Sequence, residues 1–96
     1  IFPVLKKMIS EDVDCIIVAA GMEGALATLV SSMIDIPIIG IPISVGYGYG
    51  GKGITALASM LQSCSLGLSV VNIDNGIAAG GIAANIANRA VRKNQK

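Results

Sequence analysis

The chain has 96 residues, of which 53% are hydrophobic and 14% are charged. This length makes one small domain or part of one, and the apolar content excludes intrinsic disorder. Seven basic and six acidic residues give a net charge of +1, so there is no basic excess for binding nucleic-acid phosphates. The sequence contains no histidine, which excludes Ser-His-Asp and Cys-His catalysis within this chain and nearly all zinc sites.

Two cysteines do not form a disulfide framework, so we expect reduced thiols and a cytoplasmic protein. The chain begins with Ile1 rather than methionine, and we interpret it as a fragment or a processed piece without a signal peptide. Residues 53–73 are uncharged and long enough to span a bilayer. They carry several polar side chains, and their spacing changes from helical to β-branched near Leu66. We therefore expect a buried α/β core and no membrane association.

Apolar spacing alternates between helical and strand patterns along the whole chain. In chain order it predicts a helix at 4–9, a strand at 15–19, a helix at 24–33, a strand at 36–41, a glycine-rich loop at 44–53, a helix at 54–62, a strand at 68–73 and a helix at 77–91. This alternation predicts a parallel sheet with right-handed crossovers, in a three-layer α/β/α fold of flavodoxin or Rossmann type. The strands are too apolar for a free edge, so we expect missing N-terminal βα elements, contacts between copies, or both.

Two helices carry further expectations about their surfaces. The helix at 54–62 places four apolar residues on one face, namely Ile54, Leu57, Ala58 and Leu61. The last helix is rich in small residues that would let another backbone approach closely, namely Ala79, Gly80, Gly81, Ala83 and Ala84.

Three polar or glycine-rich segments follow the predicted strands, at residues 21–24, 44–53 and 74–76. Ligands of parallel α/β sheets bind beyond the carboxyl ends of the strands. We therefore expect these three segments to line one crevice.

The glycine-rich loop matches two phosphate-binding patterns only in part. Gly46, Gly51 and Lys52 fit a P-loop, but Gly53 stands where serine or threonine would hold magnesium, which argues against nucleotide hydrolysis of that type. Gly46, Gly48 and Gly51 also fit a dinucleotide-binding turn, yet four residues separate the strand from the first glycine. A loop that closes over a ligand is the simpler interpretation.

A few side chains could carry chemistry on their own. Cys64 is either an inert buried thiol or, as a thiolate, a nucleophile. Glu23 is either an acid favoured by a helix dipole or a general base that faces the crevice. We expect Cys15 to be structural, inside an apolar strand, and Asp35 to lie in a surface turn.

Four segments in register resemble one family, namely Ala-Gly-Met-Glu-Gly-Ala-Leu at 20–26, Pro-Ile-Ser-Val-Gly-Tyr-Gly at 42–48, Met-Leu-Gln-Ser-Cys at 60–64 and Val-Val-Asn-Ile-Asp-Asn-Gly at 70–76. In order and spacing they look like the C-terminal, AIR carboxylase-like catalytic domain of the LarB family of nickel-pincer-cofactor biosynthesis. The resemblance covers residues 14–88. It implies that residues 1–96 are the C-terminal part of one such domain, without its first strand and a nucleotide-binding loop.

The resemblance also implies an activity and roles for named residues. The family carboxylates the pyridinium ring of nicotinic acid adenine dinucleotide with CO2 or bicarbonate and hydrolyses its phosphoanhydride, which releases AMP and pyridinium-3,5-biscarboxylic acid mononucleotide. Cys64 matches the cysteine that adds to the ring, and Glu23 matches the acid that removes the ring proton. Substrate binding is expected of nine further residues, namely Gly21, Met22, Ser44, Gly46, Tyr47, Gly48, Asn72, Asp74 and Asn75.

The related purine carboxylases, which act on aminoimidazole ribonucleotide (AIR), use a histidine in the loop where this chain has Ala25. That difference argues against the purine reaction. A purine-type carboxylase or mutase and a non-catalytic nucleotide-binding fragment remain as alternatives. The resemblance suggests a homo-octamer and leaves a requirement for magnesium open.

Overall fold

The structure is a computed structural model that describes residues 2–21, 25–44, 53–62 and 67–94. It contains helices α1 (Phe2–Ser10), α2 (Ala25–Met33), α3 (Ile54–Leu61) and α4 (Gly76–Asn94), and strands β1 (Ile16–Ala20), β2 (Ile38–Pro42) and β3 (Leu68–Val70). Every predicted helix and strand is therefore present, with boundaries that shift by a few residues.

The three strands form a parallel sheet in the order β1-β2-β3. Ile16 of β1 pairs with Ile38 of β2, and Ile38 pairs with Leu68 of β3. Helices connect each strand to the next, as parallel pairing requires. The predicted three-layer α/β/α fold with a parallel sheet is confirmed.

Helices cover the two faces of the sheet unequally. On one face α1, α2 and α3 pack against the strands around a core formed by Leu5, Ile16, Val18, Ala20, Ala27, Val30, Ile38 and Met60. On the other face α4 lies over a smaller core of Ile39, Ile41, Val71 and Ala79. Residues of β2 are buried on both faces, whereas Ile17 of β1 keeps 43% of its surface exposed.

The buried face of α3 is not the face with the most apolar side chains. Ala56 and Met60 are buried, whereas Ile54 and Leu61 are exposed by 64% and 65%. A Cβ atom at Gly40 of β2 would lie 3.0 Å from the Met60 sulfur, so the Met60 side chain packs directly on this glycine. The face that carries Ile54, Leu57, Ala58 and Leu61 is therefore not the buried face of this helix.

Strand β3 ends at Val70, three residues earlier than its apolar run predicts. The Val71 N–H still bonds to the Gly40 oxygen, 3.1 Å away. At the next residue the Asn72 side-chain oxygen accepts the Ile73 N–H at 2.8 Å, which turns the chain away from the ladder. The polar side chain therefore ends a strand whose hydrophobicity continues.

The expectation for Cys15 also changes. Cys15 precedes β1 and is half-buried rather than lying inside the strand, and burial raises the pKa of its thiol, partly offset by a hydrogen bond to the Ile16 carbonyl. In α4, Gly80 and Gly81 are exposed, and close approach of another backbone to this helix stays a prediction. Among the described residues, no helix is long and apolar enough to cross a membrane.

Candidate functional site

The connections that follow the three strands meet at the carboxyl edge of the sheet. The Ile43 N–H donates to the Ala20 oxygen at 3.0 Å, which joins the end of β2 to the end of β1 beside Gly21. The Asp74 N–H donates to the Pro42 oxygen at 2.8 Å, which joins the turn after β3 to the other side of β2. Gly21, Ser44 and the turn at residues 72–75 therefore lie along one edge, as the sequence predicts.

Ser44 and Asp74 are in direct contact at this edge, although 30 residues separate them in the chain. The backbone N–H of Ser44 donates to the Asp74 Oδ1 atom at 2.9 Å. Hydrogen bonds from the Ser44 hydroxyl and N–H hold the pKa of the Asp74 carboxyl below its usual range. The carboxyl is therefore ionised at neutral pH, and this edge carries a fixed negative charge beside the end of β2.

The side chains of Asn72 and Asn75 bond to the backbone of their own turn. Asn72 accepts the Ile73 N–H, as described above. The Asn75 Oδ1 atom accepts the Ala78 N–H at 3.0 Å, and its carbonyl accepts the Ala79 N–H at 3.2 Å. Asn75 therefore caps the amino end of α4, a role that an asparagine directly before a predicted helix could have indicated.

Replacing Asn75 with alanine should lower the free energy of unfolding by about 1 kcal/mol, because the Ala78 N–H loses its side-chain acceptor. Replacing it with aspartate keeps the acceptor and adds a charge that suits the helix dipole, so stability should be retained. Chemical denaturation of the three proteins measures the difference. Equal losses in both variants would contradict the capping role.

Gly53 joins the glycine-rich loop to α3 and lies against the same turn. Its φ of +80° is in the left-handed region that favours glycine. A Cβ atom there would lie 2.6 Å from Cγ2 of Ile73 and 3.3 Å from the Ile43 oxygen. Only glycine therefore fits at this position without a shift of the surrounding backbone.

Replacing Gly53 with alanine should destabilise the fold by about 2–3 kcal/mol, because backbone strain and the clash with Ile73 add. Gly67 provides a matched control, since its φ is +87° and no described atom lies within 4 Å of the place that a Cβ would take. Gly67→Ala should cost only the strain, about 1 kcal/mol. Thermal or urea unfolding that shows equal losses would contradict the close packing at Gly53.

Other expected site residues lie outside the described residues, namely Met22, Glu23, Gly46, Tyr47, Gly48 and Cys64. Described residues do flank them. Gly21 ends at the carboxyl edge, whereas the Gly67 oxygen accepts the Ile38 N–H at 2.8 Å and so lies at the amino edge. Gly21, two residues before Glu23, and Gly67, three residues after Cys64, are thus at opposite ends of the sheet.

Grooves of the described surface lie elsewhere and are open to solvent. One of about 570 Å³ runs along the last turns of α4, and one of about 490 Å³ lies between the ends of α1 and α2. The described residues include no group of three or more Cys, Asp or Glu side chains that could hold a metal ion. The carboxyl edge is the better candidate, because the connections that follow all three strands meet there and Ser44 and Asp74 join across it.

Comparison with known proteins agrees with this arrangement. The sequence matches the family described as AIR carboxylase over residues 1–96. The chain belongs to the AIR carboxylase family. Membership agrees with the parallel α/β fold, and it supports the part of the resemblance that concerns the family.

A relative of the chain is an uncharacterized protein of Methanocaldococcus jannaschii. The two are 60% identical over 87 residues, which cover 91% of this chain and 33% of that protein. The chain therefore spans about a third of the length of this curated relative.

Proposed function

We propose that the chain belongs to a LarB-type enzyme that carboxylates the pyridinium ring of nicotinic acid adenine dinucleotide and cleaves its phosphoanhydride. The observation that carries this proposal is a histidine-free sequence in the AIR carboxylase family, with Ala25 where the purine enzymes use histidine. An enzyme that carboxylates an electron-poor pyridinium ring needs a group that first makes a ring carbon nucleophilic. Cys64 offers one.

The proposed chemistry follows from the electron-poor ring. A pyridinium carbon cannot attack CO2, but addition of the Cys64 thiolate forms a carbon–sulfur bond and turns the ring into a neutral enamine. The enamine carbon attacks CO2, which forms the new carboxylate and leaves an iminium. Glu23 removes the proton from the carboxylated carbon, and the thiolate leaves as the aromatic ring is restored. Water then cleaves the phosphoanhydride, which releases AMP and the biscarboxylated mononucleotide.

Binding of the nucleotide is assigned to the carboxyl edge. Gly21, Ser44 and the turn that contains Asn72, Asp74 and Asn75 come together there. The amino end of α4 begins at this turn, and helix amino ends favour phosphate. Met22, Gly46, Tyr47 and Gly48, which belong to the loops that leave the same edge, are proposed to complete the binding site.

Topology supports an active site that two copies share. Measured along the strands, Gly67 and Gly21 are six residues apart, or about 20 Å. Cys64 is three residues from Gly67, and Glu23 is two residues from Gly21. In a homo-oligomer, the cysteine of one copy could meet the glutamate of another without stretching either connection. The proposed homo-oligomer therefore contributes to catalysis as well as to stability.

A purine-type carboxylase or mutase is the second candidate, because the matching family is described as AIR carboxylase. The two candidates differ in their substrates. The full-length protein should be incubated with labelled bicarbonate and either nicotinic acid adenine dinucleotide or aminoimidazole ribonucleotide. Label fixed on the pyridinium product together with AMP release supports the proposal. Label fixed only on the imidazole would overturn it, and binding of either nucleotide without turnover would leave the non-catalytic fragment as the better account.

A further inference from the structure

Asp74 is expected to bind substrate, but its contacts suggest a different task. Its carboxylate Oδ1 accepts the Ser44 N–H at 2.9 Å, and its own N–H donates to the Pro42 oxygen at 2.8 Å. Asp74 makes both hydrogen bonds, so this one residue fixes residues 42–44, where the chain leaves β2. Asp74 itself belongs to the connection that follows β3. We propose that Asp74 is a positioning residue that fixes Ser44 for nucleotide binding and does not itself contact the nucleotide. This inference rests on the proposed function of the carboxyl edge.

The backbone of Asp74 supports this assignment. Its φ of +59° lies in the left-handed region, where glycine is most comfortable and aspartate and asparagine are the best tolerated alternatives. A glycine would relieve the strain at this position but would leave the Ser44 N–H without its acceptor. The carboxylate therefore has a local use that accounts for a side chain in a strained position.

The residues on either side of Asp74 support its contact with Ser44. Ile73, directly before Asp74, lies against Gly53 at the start of α3. The Asn75 cap, directly after it, begins α4. The backbone on both sides of Asp74 is therefore anchored, by the contact of Ile73 with Gly53 and by the Asn75 cap of α4.

Two substitutions separate positioning from direct binding. Asp74→Asn keeps an oxygen acceptor and tolerates the backbone conformation, whereas Asp74→Gly relieves the backbone and removes the acceptor. In the full-length protein we expect Asp74→Gly to weaken binding of nicotinic acid adenine dinucleotide about tenfold at unchanged melting temperature. Asp74→Asn should restore binding to within about threefold of the original protein. Equal losses in both variants would mean that the charge itself contacts the nucleotide, which would overturn the proposal.

A second readout does not need the substrate. Hydrogen exchange should be faster at the Ser44 amide in Asp74→Gly than in the original protein and in Asp74→Asn. Unchanged exchange in Asp74→Gly would overturn the positioning role. Suppose that exchange is faster in Asp74→Gly but none of the three proteins binds the nucleotide. That result would support the contact between Asp74 and Ser44 and reject the proposed function. Failure of the positioning role and failure of the proposed function can therefore be told apart.

A double-mutant cycle completes the test. If Asp74 acts through Ser44, both Ser44→Ala and Asp74→Gly remove the contact between the Ser44 side chain and the nucleotide. The loss of binding caused by Ser44→Ala should therefore shrink to less than twofold in the Asp74→Gly background. Additive losses would show that the two side chains contact the nucleotide independently and would contradict the proposal.

Discussion

Replacing Cys64 with serine is expected to lower turnover of nicotinic acid adenine dinucleotide by a factor on the order of 10³ or more. A thiolate adds to the pyridinium ring and leaves again, whereas a serine hydroxyl is almost entirely protonated at neutral pH. Nucleotide binding should change by less than about threefold, because the proposed binding groups at the carboxyl edge remain. Steady-state turnover and equilibrium binding of the full-length protein measure the two effects separately.

Cys15→Ser provides the matched control, since Cys15 is the other cysteine of the sequence. Burial raises the pKa of its thiol, so it is protonated and unreactive at neutral pH. We expect this variant to keep its turnover within about threefold. Turnover by Cys64→Ser that equals that of Cys15→Ser would remove the cysteine mechanism.

Mixed oligomers of two inactive variants should regain activity. Glu23→Gln removes the proposed base and should lower turnover by about 10²–10⁴-fold. The two variants, Glu23→Gln and Cys64→Ser, are assembled together in equal amounts. If each active site takes its cysteine from one copy and its glutamate from another, about a quarter of the sites receive both intact side chains. Activity should therefore rise to about a quarter of that of the original protein.

Two controls accompany the mixing experiment. In the first control, the original protein is mixed with a variant that carries both Glu23→Gln and Cys64→Ser, and the loss of activity measures how completely copies exchange between oligomers. In the second control, the two single variants are mixed without dissociating the oligomers, and the mixture should stay inactive. If the mixed oligomers are no more active than the sum of the separate variants while exchange is complete, both groups belong to one copy. That result would contradict the shared site.

Sequence patterns predicted the order and type of the helices and strands in the described part of the chain, because buried parallel strands and amphipathic helices leave clear apolar spacing. They did not identify the buried face of α3, where Ala56 and Met60 are buried and Ile54 and Leu61 are exposed. Which face is buried depends on the partner strand, and the spacing within a helix does not contain that information.

At the candidate site, sequence predicted which connections meet and missed how they are joined. The rule that ligands bind beyond the carboxyl ends of parallel strands correctly brought Gly21, Ser44 and Asp74 to one edge. The hydrogen bond between Ser44 and Asp74 links positions 30 residues apart, and no local pattern predicts such a pair. The substrate-binding roles of these residues stay predictions.

Intact-protein mass spectrometry tests the central claim most directly. The full-length protein would be incubated with nicotinic acid adenine dinucleotide in the absence of bicarbonate, so that the thiolate adds but the ring is not carboxylated. The account predicts a reversible adduct with the mass of the dinucleotide, mapped to Cys64 and absent from Cys64→Ser. Protein that turns the substrate over but forms no adduct, or forms it only at Cys15, would contradict a covalent role for Cys64.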